Sequence, residues 1–171
     1  GGVKDETFAD TEITQELYNK LKADSFPCIN EEKKTLMQGK IEDAMKEKDS
    51  VGGIVECAVL NMPKGIGGPM FDGIESVIAS AMFSIPACKG VEFGIGFESC
   101  KLRGSQNNDE FTFKDGEVVT KTNNCGGILG GISNGMPITF RVGFKPTPSI
   151  ARVQNTVNLQ TKENTTIEIV G

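Results

Sequence analysis

The chain has 171 residues, of which 37% are hydrophobic, and a formal net charge of −5 at pH 7. A chain of this length and composition is expected to fold as one globular domain that buries roughly 70% of its unfolded surface, which excludes general disorder. The acidic balance, with a pI near 4.9, argues against a nucleic-acid-binding surface, because contacts to phosphate backbones need clustered lysine and arginine.

Membrane and metal-binding classes are also disfavoured. The chain lacks the run of about 18 apolar residues that a membrane-spanning helix needs, and its first residues lack the pattern of a signal peptide, so we expect a soluble, cytoplasmic protein. The cysteines are odd in number and widely spaced, which favours buried, reduced thiols over a disulfide or zinc site. They are Cys28, Cys57, Cys88, Cys100 and Cys125.

The two ends of the chain suggest a longer parent protein. The sequence starts at Gly1 instead of methionine and contains no histidine. Near the other end, the segment 165–170 alternates like a strand, with Ile167 and Ile169 on one face, and stops at Gly171. We therefore expect residues 1–171 to be a single domain that is a piece of a larger chain.

Two helices are predicted before residue 50. Thr11 is a candidate N-cap for a short helix with Ile13, Leu17 and Leu21 on one side. Asn30 is a better cap, because acidic residues fill the first turn of a helix that runs to about Lys48. The apolar stripe of this second helix is narrow, and its alternating Glu and Lys are more typical of an exposed face than of a phosphate-binding patch. The stripe comprises Leu36, Ile41, Ala44 and Met45.

A buried strand and a central helix are predicted next. The run 54–62 has little polar interruption, so both of its faces are expected to be covered. The loop 64–69 is rich in glycine but fits neither GxGxxG nor GK[ST], which argues against a dinucleotide site. A helical period from Met70 to Ile85 then places a wide apolar face in the core, and Pro86 ends that helix.

The middle of the chain alternates like short strands joined by turns. An amphipathic strand is predicted over 91–97, followed by a polar and mobile loop over 103–110. A hairpin is predicted at 111–119, because Asp115 and Gly116 tolerate the positive φ of a tight turn.

The segment 125–150 combines a glycine hinge, a strand and a candidate anion site. Five glycines lie between Gly126 and Gly135, so this part must approach another element closely. The strand 138–144 alternates apolar and polar residues and leads into 145–149, where a lysine, two hydroxyls and two prolines could hold a phosphate on a rigid turn. Read alone, the same residues also fit an ordinary strand ended by a proline turn.

These strings resemble the chorismate synthase family. Residues 126–135 (GGILGGISNG) and 145–149 (KPTPS) match the family nearly letter for letter, and the run from Ser84 to Phe97 is similar to a family segment that begins SIPA. The resemblance is strong over about 50–150. It implies an α+β fold, with a mainly antiparallel sheet packed on a central helix as part of a β-α-β sandwich, and a homotetramer in the parent.

The resemblance also implies a cofactor and a reaction. Members convert 5-enolpyruvylshikimate 3-phosphate to chorismate and phosphate with reduced FMN, and some use NADPH as the reductant. The cofactor-binding residues carried over are Pro86, Ala87, Gly130, Asn134, Lys145, Pro146, Thr147, Pro148 and Ser149. No catalytic residue is assigned within the chain, so we expect it to be inactive alone. The alternative is a non-catalytic phosphate- or flavin-binding structural module, for which the lack of histidine is the main support.

Overall fold

The computed structural model describes residues 1–169, which form four helices and nine strands. The helices are α1 (Gln15–Ala23), α2 (Glu31–Lys46), α3 (Ile74–Phe83) and α4 (Gly104–Asn107). The strands are β1 (Gly53–Val59), β2 (Cys88–Phe93), β3 (Phe111–Lys114), β4 (Glu117–Thr120), β5 (Ile128–Leu129), β6 (Ile132–Ser133), β7 (Ile138–Phe144), β8 (Val153–Asn158) and β9 (Glu163–Glu168). Short 3₁₀ segments cover Met70–Asp72 and Gly96–Lys101.

The central sheet has the strand order β1-β7-β2. The middle strand, β7, runs antiparallel to both neighbours, and Val142 pairs with Val55 on one side and Val91 on the other. β1 and β2 are therefore parallel to each other, and the crossover that joins them carries α3. This is a split β-α-β unit, in which an antiparallel strand separates the two parallel ones.

The hydrophobic core lies between the sheet and α3. Alternate residues of β7 supply its centre, since Ile138 is 0% exposed and Val142 is 2% exposed. Phe140 of the same strand packs against Phe93, with ring centroids 5.8 Å apart. Ile74, at the start of α3, and Ile128, in β5, complete the buried cluster. The structure confirms the predicted α+β class, the period-2 strand 138–144 and the antiparallel pairing.

The prediction that both faces of β1 are covered is wrong for this chain. Ile54 is 69% exposed and Val55 is 52% exposed. Val55 lies on the face that β7 turns toward the core, but α3 packs chiefly on β2. An apolar run in the sequence indicates that a strand tends to be buried, but it does not supply the layer that covers the strand.

The central helix is shorter than the sequence predicted. Gly73 has an extended conformation, with φ −60° and ψ 147°, and separates the 3₁₀ turn Met70–Asp72 from α3. Phe71 is consequently 89% exposed, and the helix ends at Phe83 before Pro86. The apolar period runs through both pieces, so periodicity alone could not locate the break.

The N-terminal helices differ from their predictions in detail. The cap of α1 is Thr14, not Thr11: its hydroxyl accepts a hydrogen bond from the Leu17 N–H at 3.1 Å. The predicted cap of α2 is confirmed, because the Asn30 side chain accepts from the N–H groups of Glu32 and Lys33. No residue of α2 is buried, and Met45, in the predicted apolar stripe, is 70% exposed.

Three further elements depart from the sequence analysis. β2 ends at Phe93 because Gly94, with φ 56°, packs its backbone against Asn124 and turns the chain away from the sheet. The loop 103–110 contains the short helix α4. The last strand begins at Glu163 and pairs with β8, a strand that was not predicted from the sequence. The predicted end of the last strand, at Val170, lies outside the described residues.

The hairpin and cysteine predictions have mixed outcomes. The β3–β4 hairpin is confirmed, and both Asp115 and Gly116 have positive φ, at 53° and 82°. All five cysteines are free, but Cys100 is exposed, which corrects the expectation that every thiol is buried. Within residues 1–169, none of the helices has both the length and the apolar character needed to cross a bilayer.

Candidate functional site

Three segments meet at one end of the central sheet, and two of them contain predicted site residues. Because β7 is antiparallel to β1 and β2, the residues that follow β7 lie beside the residues that precede its two neighbours. The segment 145–149, which we call the anion turn, therefore lies between 49–52, before β1, and Pro86–Ala87, before β2.

The anion turn is hydrogen-bonded to Ala87. The backbone N–H of Lys145 donates to the Ala87 carbonyl at 3.0 Å, and the next pair along the ladder is Cys88 with Phe144. Ala87 has a φ of 68°, a conformation that residues other than glycine rarely adopt. The surroundings must hold this backbone in place, and such strained positions are common where a chain contacts a ligand.

The opposite side of the anion turn contacts the segment before β1. The Ser50 hydroxyl donates to the Thr147 carbonyl at 2.7 Å. A Cβ added to Gly52 would lie 2.5 Å from the Phe144 carbonyl oxygen and 2.9 Å from Cδ of Pro146, so only glycine fits there. Neither Ser50 nor Gly52 was predicted from the sequence. The one signal was the pair of glycines at the start of β1, which is typical of close backbone approach.

The electrostatics of the anion turn depend on its lysine. All five residues 145–149 are exposed, and Lys145 forms no ion pair within residues 1–169. The helix α3 ends at Phe83, three residues before Pro86, so its negative dipole end faces this region. That end disfavours a nearby anion, whereas the ammonium group of Lys145 and the hydroxyls of Thr147 and Ser149 are groups that would attract one.

Gly130 and Asn134 lie at the other end of the sheet. Gly130 belongs to the β5–β6 hairpin, whose Gly131 carbonyl accepts from the Ile74 N–H at 3.0 Å, at the start of α3. The seven residues of β7 separate the two ends by about 20 Å. The nine predicted residues are thus divided between two places, and seven of them gather around the anion turn.

The Asn134 side chain is enclosed by the fold. Its Oδ1 accepts from the Met136 N–H at 2.9 Å, and its buried Nδ2 has no hydrogen-bond partner among residues 1–169. An unpaired buried donor is unfavourable, so it is a place where a ligand acceptor would be stabilising. A ligand reaches it only if the atoms that cover it move.

A single ligand that contacts both places would have to be elongated, because they lie about 20 Å apart. A ligand that touches both ends must extend along the sheet and α3.

The thiols of Cys57 and Cys125 are not activated nucleophiles. Burial, with the Asp109 carboxylate next in importance, raises the pKa of the Cys125 thiol. Burial, followed by the nearby Glu56 charge, likewise raises the pKa of the Cys57 thiol. A reactive cysteine needs a lowered pKa, so neither thiol is suited to covalent chemistry at neutral pH.

Comparison of the sequence with known protein families identifies the family of this chain. The sequence model of the chorismate synthase family matches residues 6–171. The chain belongs to the chorismate synthase family. The resemblance found in the glycine hinge and the anion turn is thereby confirmed over nearly the whole chain.

Curated relatives agree with this assignment. The chain is 57% identical over 131 residues to a chorismate synthase of Dehalococcoides mccartyi (strain ATCC BAA-2266 / KCTC 15142 / 195), covering 77% of this chain and 36% of the relative. It is 54% identical over 144 residues to a chorismate synthase of Thermococcus kodakarensis, covering 84% of this chain and 41% of the relative. The chain thus spans about two fifths of the length of these relatives.

A solved structure shares the fold. The "Crystal Structure of Chorismate Synthase" superposes with a TM-score of 0.73 at 38% sequence identity, covering 81% of this chain and 42% of the solved one. The split β-α-β unit is therefore a portion of the chorismate synthase fold.

Proposed function

We propose that this chain is part of a chorismate synthase, a carbon–oxygen lyase of the shikimate pathway in aromatic amino-acid biosynthesis. The reaction is the 1,4-elimination of phosphate from 5-enolpyruvylshikimate 3-phosphate to give chorismate. The observation that carries this proposal is the family match over residues 6–171. The acidic composition and the lack of a spanning helix in residues 1–169 are compatible with work in the cytoplasm.

The contribution proposed for this chain is part of an FMN site. Reduced FMN, when bound, supplies the electron density that helps the phosphate of the substrate to leave. Lys145, with the hydroxyls of Thr147 and Ser149, would hold the FMN phosphate, and Pro86 and Ala87 would pack beside it. Gly130 and Asn134 would contact the distant part of the cofactor.

The role of Lys145 can be tested in the full-length protein. Lys145→Ala should weaken FMN binding about tenfold or more, because it removes a charge-assisted contact worth about 1.5–3 kcal/mol. Riboflavin has no phosphate and should bind almost as before. Titration of both ligands, followed by flavin fluorescence, measures the two dissociation constants.

The control for this test is Lys114→Ala. Lys114 is exposed in the β3–β4 hairpin and, like Lys145, forms no ion pair within the described chain. Arg141 is unsuitable as a control, because its Nε lies 3.0 Å from Oε1 of Glu92 and its loss would disturb the sheet. Equal losses of FMN and riboflavin binding in Lys145→Ala would show that the lysine supports the fold and does not contact the phosphate.

The 171-residue chain by itself is expected to form no chorismate. It contains no histidine, whereas the family resemblance implies two functional histidines and an Arg-His-Asp segment. General acid–base groups typically contribute about 10²-fold or more each. Anaerobic assays with reduced FMN and substrate should give no chorismate above the enzyme-free control, and product above that level would overturn the expectation.

A non-catalytic flavin- or phosphate-binding module is the second candidate, and the lack of histidine favours it. The two functions differ in the full-length protein: a chorismate synthase turns over with reduced FMN, whereas a binding module takes up FMN without turnover.

We also propose that the parent works as a homo-oligomer, as the tetrameric family implies; sedimentation of the full-length protein tests this.

A further inference from the structure

Ser50 is half-buried beside the anion turn, and the flavin contacts carried over from the family do not include it. Its hydroxyl donates to the Thr147 carbonyl at 2.7 Å, across 97 residues of sequence. Two other contacts hold the segment before β1 against residues in or next to the anion turn. Arg152 Nη1 lies 2.9 Å from Oδ2 of Asp49, and Gly52 fits closely against Phe144 and Pro146.

The backbone of the anion turn has few torsions left to vary. The rings of Pro146 and Pro148 fix φ at those two positions. Each proline also restricts the residue before it, so Lys145 and Thr147 are biased toward extended conformations. The orientation of the Thr147 carbonyl then depends mainly on ψ of Thr147, and the Ser50 hydroxyl selects one orientation by binding that carbonyl.

We propose that Ser50 is a positioning residue for anion binding: it fixes the Thr147 peptide, and so aims Lys145 and the turn hydroxyls at one point. The proposal rests on the proposed function, because the anion is the FMN phosphate. Ser50 acts through the turn and does not touch the ligand. Gly52 supports the same arrangement by allowing β1 to start within contact distance of Pro146.

The test uses the full-length protein and the ratio of FMN to riboflavin affinity. Ser50→Ala should weaken FMN binding about threefold to tenfold, the range for loss of one ordinary hydrogen bond. Riboflavin binding should change less than about twofold. Ser50→Thr retains the hydroxyl and should keep the wild-type ratio, whereas Ser50→Val, which has the shape of threonine without the hydroxyl, should lose it.

Ser99→Ala is the matched control. Its hydroxyl donates to the Gly96 carbonyl at the same distance, 2.7 Å, in the 3₁₀ turn beyond the far end of β2. It should lower the melting temperature about as much as Ser50→Ala and leave the ligand ratio unchanged. The Thr and Val variants are compared with each other, so the result does not depend on the alanine variant folding.

The outcomes separate this inference from the function on which it rests. If Lys145→Ala alters the ratio but the Thr and Val variants of Ser50 share one ratio, the positioning role is overturned and the phosphate site stands. If Lys145→Ala leaves the ratio unchanged, the phosphate site itself fails, and the role of Ser50 fails with it. A changed ratio in Lys145→Ala and Ser50→Val, but not in Ser50→Thr or Ser99→Ala, supports both.

Discussion

The buried carboxylate of Asp109 joins the loop 103–110 to the segment 122–125, which packs against the end of β2. Asp109 is 8% exposed, and its two oxygens accept three hydrogen bonds. The donors are the Thr122 hydroxyl and the backbone N–H groups of Asn124 and Cys125, at 2.7, 2.7 and 2.9 Å. The loop 103–110, which the sequence predicted to be mobile, is therefore held by Asp109 to the residues at the start of the glycine hinge.

Asp109→Asn should lower the free energy of unfolding by about 1–3 kcal/mol. The substitution keeps the shape of the side chain, but its NH₂ group would face the N–H of Cys125, donor against donor. Urea denaturation measures the change. Asp43→Asn, which removes an exposed carboxylate, is the control and should have little effect. An unchanged midpoint in Asp109→Asn would contradict the assigned role.

Among the secondary elements, the β5–β6 hairpin shows most clearly why its glycines are needed. Gly130 and Gly131 both have positive φ, at 61° and 83°. A Cβ on Gly131 would lie 2.4 Å from the Gly68 carbonyl oxygen, whereas a Cβ on Gly130 would meet nothing within 4 Å. Gly131 therefore lets the hairpin contact the loop before α3, whereas the packing of the described residues would leave room for a Cβ on Gly130, where only the turn conformation favours glycine.

These neighbouring glycines give a matched pair of substitutions. Gly130→Ala should lower the free energy of unfolding by about 1 kcal/mol, from the left-handed conformation alone. Gly131→Ala should lower the free energy of unfolding by roughly 1–3 kcal/mol more than Gly130→Ala, because the loop 67–73 must also move. Thermal and urea denaturation of the two variants test the order. Equal losses would mean that the hairpin does not pack as described.

The β8–β9 hairpin makes few contacts with the other helices and strands of the described chain. Its six residue pairs begin with Val153 opposite Glu168 and end with Asn158 opposite Glu163. Most of its contacts are between its own two strands. Leu159, at its tip, is 85% exposed. An isolated two-stranded hairpin is only marginally stable in water, so this element depends on contacts beyond itself more than β7 does.

At the scale of the whole molecule, charge governs the response to pH. Hydrogen bonds from Lys34, Lys101, Lys121 and Lys64 hold the pKa values of Asp24, Glu98, Glu110 and Glu117, respectively, below their ordinary values. The Asp24 hydrogen bond likewise raises the pKa of Lys34. The chain has no histidine, the side chain whose ordinary pKa lies between about pH 5 and 8.

Stability should therefore be nearly constant from about pH 6 to 8 and fall below about pH 4. A carboxyl group whose pKa is lowered by folding stabilises the native state above its unfolded pKa, near 4. That contribution disappears as the pH drops through the lower, folded pKa. Melting temperatures across this range test the prediction. Because three of the four pairs are exposed, 1 M salt should reduce the acid-induced loss. A steep loss already at pH 6 would contradict it.

The sequence by itself determined the strand 138–144, the cap at Asn30 and the Asp-Gly hairpin, because each depends on the chemistry of neighbouring residues. Alternation sets the faces of a strand, a side-chain oxygen caps a helix, and Asp115 and Gly116 accept positive φ. Family resemblance added the residues of the candidate flavin site. The family resemblance did not show that Gly130 and Lys145 lie at opposite ends of β7.

Only the tertiary structure decided where those local elements meet. The pairing of β7 between β1 and β2 brings Ser50, Ala87 and Lys145 together, although up to 95 residues separate them in the sequence. The exposure of Val55 and Phe71 was equally unpredictable, since an apolar period does not specify which surface covers it. The physical reason is the same in both cases: contacts between distant segments depend on strand order and packing, which local patterns do not encode.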